Sequence, residues 1–87
     1  MSYRISFTKQ ALKQLKKLDK FTQSTIIQWL EKNIQGTDNP RHTGKGLTAN
    51  HSGEWRYRVG DYRILVNILE QEVVVEVFEV GHRRDIY

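Results

Sequence analysis

The sequence predicts an α+β fold in which a helical hairpin packs on one face of a twisted, mainly antiparallel sheet, in the order β-α-α-β-β-β. Apolar residues alternate at period two near the N-terminus, recur every three or four positions over residues 9–36, and alternate again from residue 55 onward. Short connections in the last part favour an antiparallel meander. Because the chain has 87 residues, we expect residues 1–87 to form one domain.

The N-terminal half predicts one strand and two helices. Residues 3–7 alternate like a half-buried strand, and Thr8 has the hydroxyl group of a typical N-cap. The first helix runs from Lys9 to about Leu18, and its apolar stripe consists of Ala11, Leu12, Leu15 and Leu18. The second helix begins near Phe21 and ends at Gly36, a residue type that favours C-caps. Its apolar stripe consists of Ile26, Ile27, Trp29, Leu30 and Ile34.

The C-terminal half predicts a loop and three strands. Residues 36–53 contain turn-forming residues without periodicity, which indicates a long loop with Leu47 as its anchor in the core. Strands are predicted at residues 55–59, 62–69 and 73–80, joined by turns at residues 60–61 and 70–72. The alternation places Trp55, Tyr57 and Tyr62 in the core, although exposed aromatic rings at these positions could instead stack on nucleic-acid bases.

Composition excludes several classes of protein. No cysteine is present, so disulfides and thiolate zinc sites are excluded. His42 and His51 have no carboxylate at metal-ligand spacing, so we expect no metal and no cofactor. No apolar run approaches the roughly 20 residues of a membrane span, and residues 1–10 lack a signal peptide's apolar core. We therefore expect a cytoplasmic protein without membrane contact.

Charge is distributed unevenly along the chain. Residues 1–47 carry nine Lys or Arg against three acids and include all seven lysines, whereas residues 48–87 carry five arginines against seven acids. Strand alternation places Arg56 and Arg58 on one sheet face, and a hairpin at residues 60–61 adds Arg63 to that face. Three clustered guanidiniums favour binding of an anion such as a polynucleotide backbone, although a solvated sheet face is the simpler alternative.

Two segments resemble a known family. The first is the run Gly53-Glu54-Trp55-Arg56-Tyr57-Arg58-Val59-Gly60-Asp61-Tyr62-Arg63, followed by a valine-rich strand. The second is the tail Gly81-His82-Arg83-Arg84-Asp85-Ile86-Tyr87. Together with the basic first helix and the element order, these segments resemble the RelE/ParE toxins over nearly the whole chain. The tail is shorter than in some members, which leaves the register of Arg83, Arg84 and Tyr87 open by about one residue.

The resemblance implies a toxin of a type II toxin–antitoxin system with a fold similar to microbial ribonucleases. It further implies a metal-independent endoribonuclease that cleaves mRNA in the A site of the 70S ribosome and inhibits translation. By position, the catalytic residues would be Arg56, Arg58, Arg63, Arg83 and Tyr87. A ParE-like toxin, which inhibits DNA gyrase without nuclease activity, is the alternative.

The identity of the proton acceptor remains open between two residues. Tyr87 is one choice, because neighbouring guanidiniums would lower the pKa of its phenol. His82 is the other, because histidine exchanges protons near neutral pH, although a structural role for His82 is equally compatible with the sequence.

Further contacts are expected outside the catalytic cluster. The cations that could bind RNA or the ribosome are Lys9, Lys13, Lys16, Lys17, Lys20, Lys45 and Arg84, although helix lysines are often simply solvated. The resemblance also implies a cognate RelB-like antitoxin that masks the arginines. The toxin–antitoxin complex would bind its own promoter through that antitoxin.

Overall fold

The computed structural model describes residues 2–46, 54–82 and 84. Within them the elements are β1 (Arg4–Phe7), α1 (Lys9–Lys16), α2 (Lys20–Asn33), β2 (Lys45–Gly46), β3 (Glu54–Val59), β4 (Tyr62–Leu69) and β5 (Val74–His82). They form a five-stranded sheet in the order β1-β5-β4-β3-β2. Strand β1 is parallel to β5, and the other neighbouring strands are antiparallel. The predicted α+β class and the mainly antiparallel sheet are confirmed.

The predicted element boundaries are confirmed in part. The first helix ends at Lys16 instead of near Leu18, and the second begins at Lys20. The predicted loop from residue 36 contains the short strand β2, which was not predicted because this segment is rich in turn-forming residues. The last strand begins one residue later than predicted and continues to His82. Leu47 lies outside the described residues, as do residues 48–53 of the same predicted loop.

Side-chain caps fix the two helices and the corner between them. The Thr8 hydroxyl oxygen accepts a hydrogen bond from the Ala11 N–H at 3.1 Å, as predicted for an N-cap. Asp19 caps α2, because its carboxylate accepts from both the hydroxyl and the N–H of Thr22, at 2.6 and 3.1 Å. These hydrogen bonds lower the pKa of Asp19. The Gln23 amide then donates to the Leu18 carbonyl oxygen at 2.7 Å, which ties α2 back to the corner.

Both helices contribute to a core on one face of the sheet. The core combines helix residues such as Leu15 and Leu30 with strand residues such as Ile64 and Val77. Leu12 was predicted in the apolar stripe of α1, but it is 38 % exposed, because it lies at the border of the buried face that Ala11 and Leu15 define. None of the helices in the described ranges is both long enough and apolar enough to cross a membrane.

The end of α2 closes the outer edge of β1. Tyr3 donates its N–H to the Thr37 carbonyl oxygen and accepts from the Gly36 N–H, at 2.8 and 2.7 Å. The Gln35 side-chain oxygen accepts from the Ile5 N–H at 3.0 Å. Gly36 was predicted as the C-cap, but Ile34 occupies that position, and Gly36 follows two residues later with a φ of 81°.

The turn between β4 and β5 contains a valine in the left-handed region. Val73 has a φ of 56°, and it is the one non-glycine residue with positive φ in the described part of the chain. An L-residue in this region costs about 1–2 kcal/mol, and a branched Cβ adds steric conflict. The backbone is held there because the Val73 carbonyl oxygen accepts from the Arg4 N–H at 3.1 Å, which starts the pairing of β1 with β5.

We predict that Val73→Gly leaves the free energy of unfolding unchanged or raises it by up to about 1 kcal/mol. Relief of the left-handed strain offsets the roughly 0.5–1 kcal/mol of backbone entropy that glycine costs. Val74→Gly is the control: it removes a side chain that is only 7 % exposed and should cost about 2 kcal/mol or more. Urea unfolding measures both variants, and a loss above 1 kcal/mol in Val73→Gly would contradict the strain argument.

A cationic cavity on the open face of the sheet

The sheet face opposite the helices, here called the open face, carries the predicted arginine cluster. In β3 the side chains of Tyr57 and Val59 enter the core, so Arg56 and Arg58 point to the other side. The antiparallel register places Arg58 directly across from Arg63 of β4. The prediction that the three arginines share a face is therefore confirmed.

The arginines line a cavity of about 330 Å³ together with residues of the loop before β2. Its described lining consists of Gly44, Lys45, Arg56, Arg58 and Arg63. Four of these five residues are cationic, and no carboxylate is among the described lining residues. Cations gathered this closely raise the local positive potential, which favours binding of an anion.

The four cations are carried by three strands: Lys45 by β2, Arg56 and Arg58 by β3, and Arg63 by β4. Lys45 lies on β2, across from Arg56 in the antiparallel pairing. The guanidinium of Arg63 is partly enclosed, because its Nε atom is buried. Arg58 is the more exposed member, and its Nε donates to the Gly60 carbonyl oxygen at 3.4 Å. Because the donors come from three adjacent strands, the arrangement of cations in the cavity depends on the register in which those strands pair.

Two aromatic side chains of β3 hold the loop that presents Lys45. The Trp55 indole N–H donates to the Thr43 carbonyl oxygen at 2.7 Å, and the Tyr57 hydroxyl donates to the Pro40 carbonyl oxygen at 2.5 Å. The guanidinium of Arg41 lies 5.8 Å from the centre of the Trp55 ring and forms a 2.9 Å ion pair with Glu70. Burial raises the pKa of Tyr57 well above its ordinary value, so its hydroxyl remains protonated and keeps donating.

Gly44 is the point of closest approach between this loop and β3. Its φ is 89°, and a Cβ built there would overlap the Arg56 carbonyl oxygen and would lie 2.6 Å from the Trp55 indole nitrogen. Glycine is required at this position for two reasons. Any other residue would pay the energetic cost of a left-handed backbone conformation, and its Cβ would clash with β3. The neighbouring Lys45 reaches the cavity because the backbone can pass this close to the strand.

Substituting Gly44 with alanine should destabilise the fold more than the same substitution at Gly36. Both glycines have positive φ, so each variant incurs the left-handed cost of about 1–2 kcal/mol. Only Gly44→Ala adds the clash with β3, since nothing lies within 4 Å of a Cβ at Gly36. We expect the clash to cost about 1–3 kcal/mol more, measured by urea unfolding. Equal losses in the two variants would contradict the close packing at Gly44.

His82, a predicted catalytic residue, lies on the other side of the sheet. Its backbone pairs with Tyr62, and the two rings make an edge contact with centroids 5.4 Å apart. The His82 Nδ1 atom accepts a hydrogen bond from the Arg84 N–H at 3.2 Å. The residue lines a separate cavity of about 310 Å³ with Gln14 and Lys17. The structure therefore does not bring His82 to the arginines.

The remaining predicted site residues fall into three groups. Arg83 and Tyr87 lie outside the described residues. The predicted RNA-binding residues Lys9, Lys13, Lys16, Lys17, Lys20 and Arg84 are exposed. Lys45 was predicted among these peripheral contacts, but it lines the arginine cavity. The flanking Gly44 and Gly46 were the sequence signal for its location, because glycines permit close approach of a backbone to a strand.

Comparison with known proteins identifies the family. Residues 5–87 match the family model described as the ParE toxin of the type II toxin–antitoxin system parDE. The chain is 30 % identical to Toxin RelG of Mycobacterium tuberculosis over 87 residues, covering 100 % of this chain and 98 % of that protein. This chain therefore belongs to the RelE/ParE superfamily of toxins from type II toxin–antitoxin systems.

Solved structures agree with this assignment. The toxin–antitoxin complex RelBE2 of Mycobacterium tuberculosis contains a chain that is similar to this one, with a TM-score of 0.80 and 26 % identity. The match covers 95 % of this chain and 93 % of that one. The fold also occurs in the intact RelBE toxin–antitoxin complex of Escherichia coli, with a TM-score of 0.75 and 23 % identity over 93 % of this chain and 96 % of that one. The helical hairpin on a mixed sheet is thus the RelE fold.

Proposed function

We propose that this toxin is an endoribonuclease that cleaves mRNA in the ribosomal A site and thereby inhibits translation. The observation that carries this proposal is the cavity lined by Lys45, Arg56, Arg58 and Arg63. Guanidinium groups offer paired N–H donors that match phosphate oxygens, and an RNA backbone supplies such a phosphate. The names of its relatives, Toxin RelG and a putative RelE-like toxin of Escherichia coli, favour this activity over gyrase inhibition.

The proposed reaction uses the RNA's own nucleophile. The 2′-oxygen attacks the adjacent phosphorus, the new O–P bond forms as the bond to the 5′-oxygen breaks, and the 2′-proton passes to a base. The leaving 5′-oxygen takes up a proton. Charge accumulates on the phosphorane oxygens in the transition state, and the cations of the cavity stabilise it. In this scheme no metal ion is needed.

The position of His82 favours Tyr87 as the proton acceptor in this proposal. Because His82 lies on the opposite face from the arginines, we assign the proton acceptor to Tyr87 and keep Arg83 as a further phosphate ligand. Both assignments rest on the family resemblance of the tail. His82 is more compatible with a structural role, since its Nδ1 and its ring already contact Arg84 and Tyr62.

The proposed partner is a RelB-like antitoxin. Relatives of this fold occur in RelBE toxin–antitoxin complexes, and the basic N-terminal half of this chain would suit an acidic partner. In the proposed complex the antitoxin masks the cavity and supplies the DNA-reading element that binds the promoter.

Removing single cations from the cavity should abolish most of the cleavage. Arg56→Ala and Arg63→Ala should each slow cleavage of ribosome-bound mRNA by about two to three orders of magnitude, the usual loss of one placed donor. New 5′ ends mapped by primer extension in a cell-free translation reaction, with and without ribosomes, measure the rate. Arg4→Ala is the control, because Arg4 is an exposed arginine on the distant strand β1.

Three outcomes of this experiment are informative. Loss of cleavage in the cavity variants, with full activity in Arg4→Ala, supports the proposed site. Full activity in both cavity variants would contradict it. Intact mRNA and normal translation with the folded wild-type protein would remove the nuclease activity itself and would favour gyrase as the target.

Ribosome binding should depend on salt and on the lysines of α1. Lys13→Glu combined with Lys16→Glu should weaken binding about tenfold or more at low salt, because each lysine that contacts a phosphate releases counterions. Lys32→Glu, a charge reversal at the exposed end of α2, is the matched control. Cosedimentation with ribosomes over a range of salt concentrations measures both. Equal binding of the double variant and the control would show that these lysines are only solvated.

A further inference from the structure

Phe21 is an exposed aromatic ring that neither the core nor the proposed active site uses. Its relative exposure is 80 %, against 38 % for Leu12, the other large exposed apolar residue of the described ranges. Isolated exposed apolar residues are common on protein surfaces. Phe21 differs because it lies on a capped helix turn and lines a groove.

The backbone that carries Phe21 is fixed. The residue lies in the first turn of α2, directly after the Asp19 cap, and its carbonyl oxygen accepts from the Thr25 hydroxyl at 2.9 Å. The Gln23 amide anchors the same turn to the α1 corner. A ring on a fixed backbone loses less conformational entropy on binding than a ring on a mobile segment, because only its side-chain torsions remain to be restricted.

A narrow groove lies beside the ring. Its volume is about 180 Å³, its floor consists of Ile26, Val59 and Tyr62, and its rim includes Gly60 and Asp61. This is below the roughly 300–1,000 Å³ of ordinary small-molecule sites, so it suits a single planar ring. Asp61 is exposed at this rim, so its carboxylate oxygens can accept a hydrogen bond from the amino group of a base.

The charges around the groove favour a nucleotide. Lys17 and Lys20 flank the corner that presents Phe21, and both are exposed. The same β3–β4 hairpin that forms the groove carries Arg58 and Arg63 on its other face. Lysines outside the groove suit phosphates, whereas a carboxylate at its rim would repel an acidic peptide but would accept a hydrogen bond from a base edge.

We propose that Phe21 stacks on one unpaired nucleobase of RNA, which occupies the groove beside Asp61 while its backbone phosphates contact Lys17 and Lys20. The proposal rests on the proposed function only in taking RNA as the partner. It adds a second RNA contact on the helix side of the sheet, whereas the cationic cavity lies on the opposite face of the same β3–β4 hairpin. Stacking of one base on an aromatic side chain contributes about 1–3 kcal/mol, so its loss should weaken binding by roughly 5- to 100-fold.

Three substitutions at Phe21 separate stacking from apolar contact. Phe21→Trp keeps an aromatic face, Phe21→Leu keeps an apolar side chain without one, and Phe21→Ala removes both. The probe is a fluorescein-labelled single-stranded oligoadenylate, and its fluorescence anisotropy gives the Kd. We expect wild-type or tighter binding for Phe21→Trp and about tenfold weaker binding for Phe21→Leu and Phe21→Ala. Wild-type binding by Phe21→Leu would overturn the proposal.

Two further measurements test whether unfolding or a protein ligand accounts for the behaviour of the Phe21 variants. Because the ring is exposed, all three variants should unfold at the wild-type urea midpoint. Binding of the cognate antitoxin is measured on the same variants. Weaker antitoxin binding with unchanged oligoadenylate binding would mean that the groove receives a protein side chain, and would overturn the proposal.

Cleavage assays distinguish failure of this inference from failure of the proposed function. We expect Phe21→Leu to raise KM for mRNA cleavage with kcat unchanged, whereas Arg63→Ala lowers kcat. A chain that binds oligoadenylate through Phe21 but cleaves no RNA would refute only the nuclease activity.

Chemical footprinting on ribosomes shows which RNA supplies the stacked base. If wild-type protein protects a ribosomal nucleotide and Phe21→Leu does not, the base belongs to ribosomal RNA. If no ribosomal nucleotide is protected, the base belongs to the mRNA.

Discussion

The alternation of side chains along β3 is the constraint on which the rest of the structure depends. Tyr57 faces the core and is completely buried, whereas its neighbours Arg56 and Arg58 face the open side. A shift of one residue in the register of β3 would exchange these faces, burying two guanidiniums in an apolar core and exposing the aromatic side chains. The hydrophobic core therefore also determines where the cationic cavity lies.

The same strand joins the core to the loop before β2. Tyr57 contacts Trp29 of α2, with ring centroids 5.4 Å apart, and its hydroxyl reaches the backbone of Pro40. Trp55 holds Thr43 in the same way. Packing of α2 and presentation of Lys45 thus depend on one pair of aromatic residues, so the stability of the fold and the geometry of the cavity are coupled.

Much of this arrangement follows from local patterns that can be read in the sequence. Period-two alternation defines both the core face of β3 and the arginine face, and the residues that begin each helix have hydrogen-bonding side chains. Alternation did not reveal the position of Lys45, because β2 has only two residues, and the flanking Gly44 and Gly46 indicate only that the backbone can approach a strand there. His82 was harder still, since its face depends on the shift in pairing between β4 and β5 near Leu65. Long-range contacts of this kind leave no periodic signal.

The closed edge of β1 has a consequence for the way this toxin can contact other chains. Exposed strand edges offer free backbone groups to other chains and promote aggregation. Here the Gln35 side chain and the turn at Gly36 satisfy the outward backbone groups of Tyr3 and the N–H of Ile5 within the same molecule. Strand addition at this position would have to break those hydrogen bonds. The hydrogen bonds along this edge therefore oppose self-association of the chain through added strands.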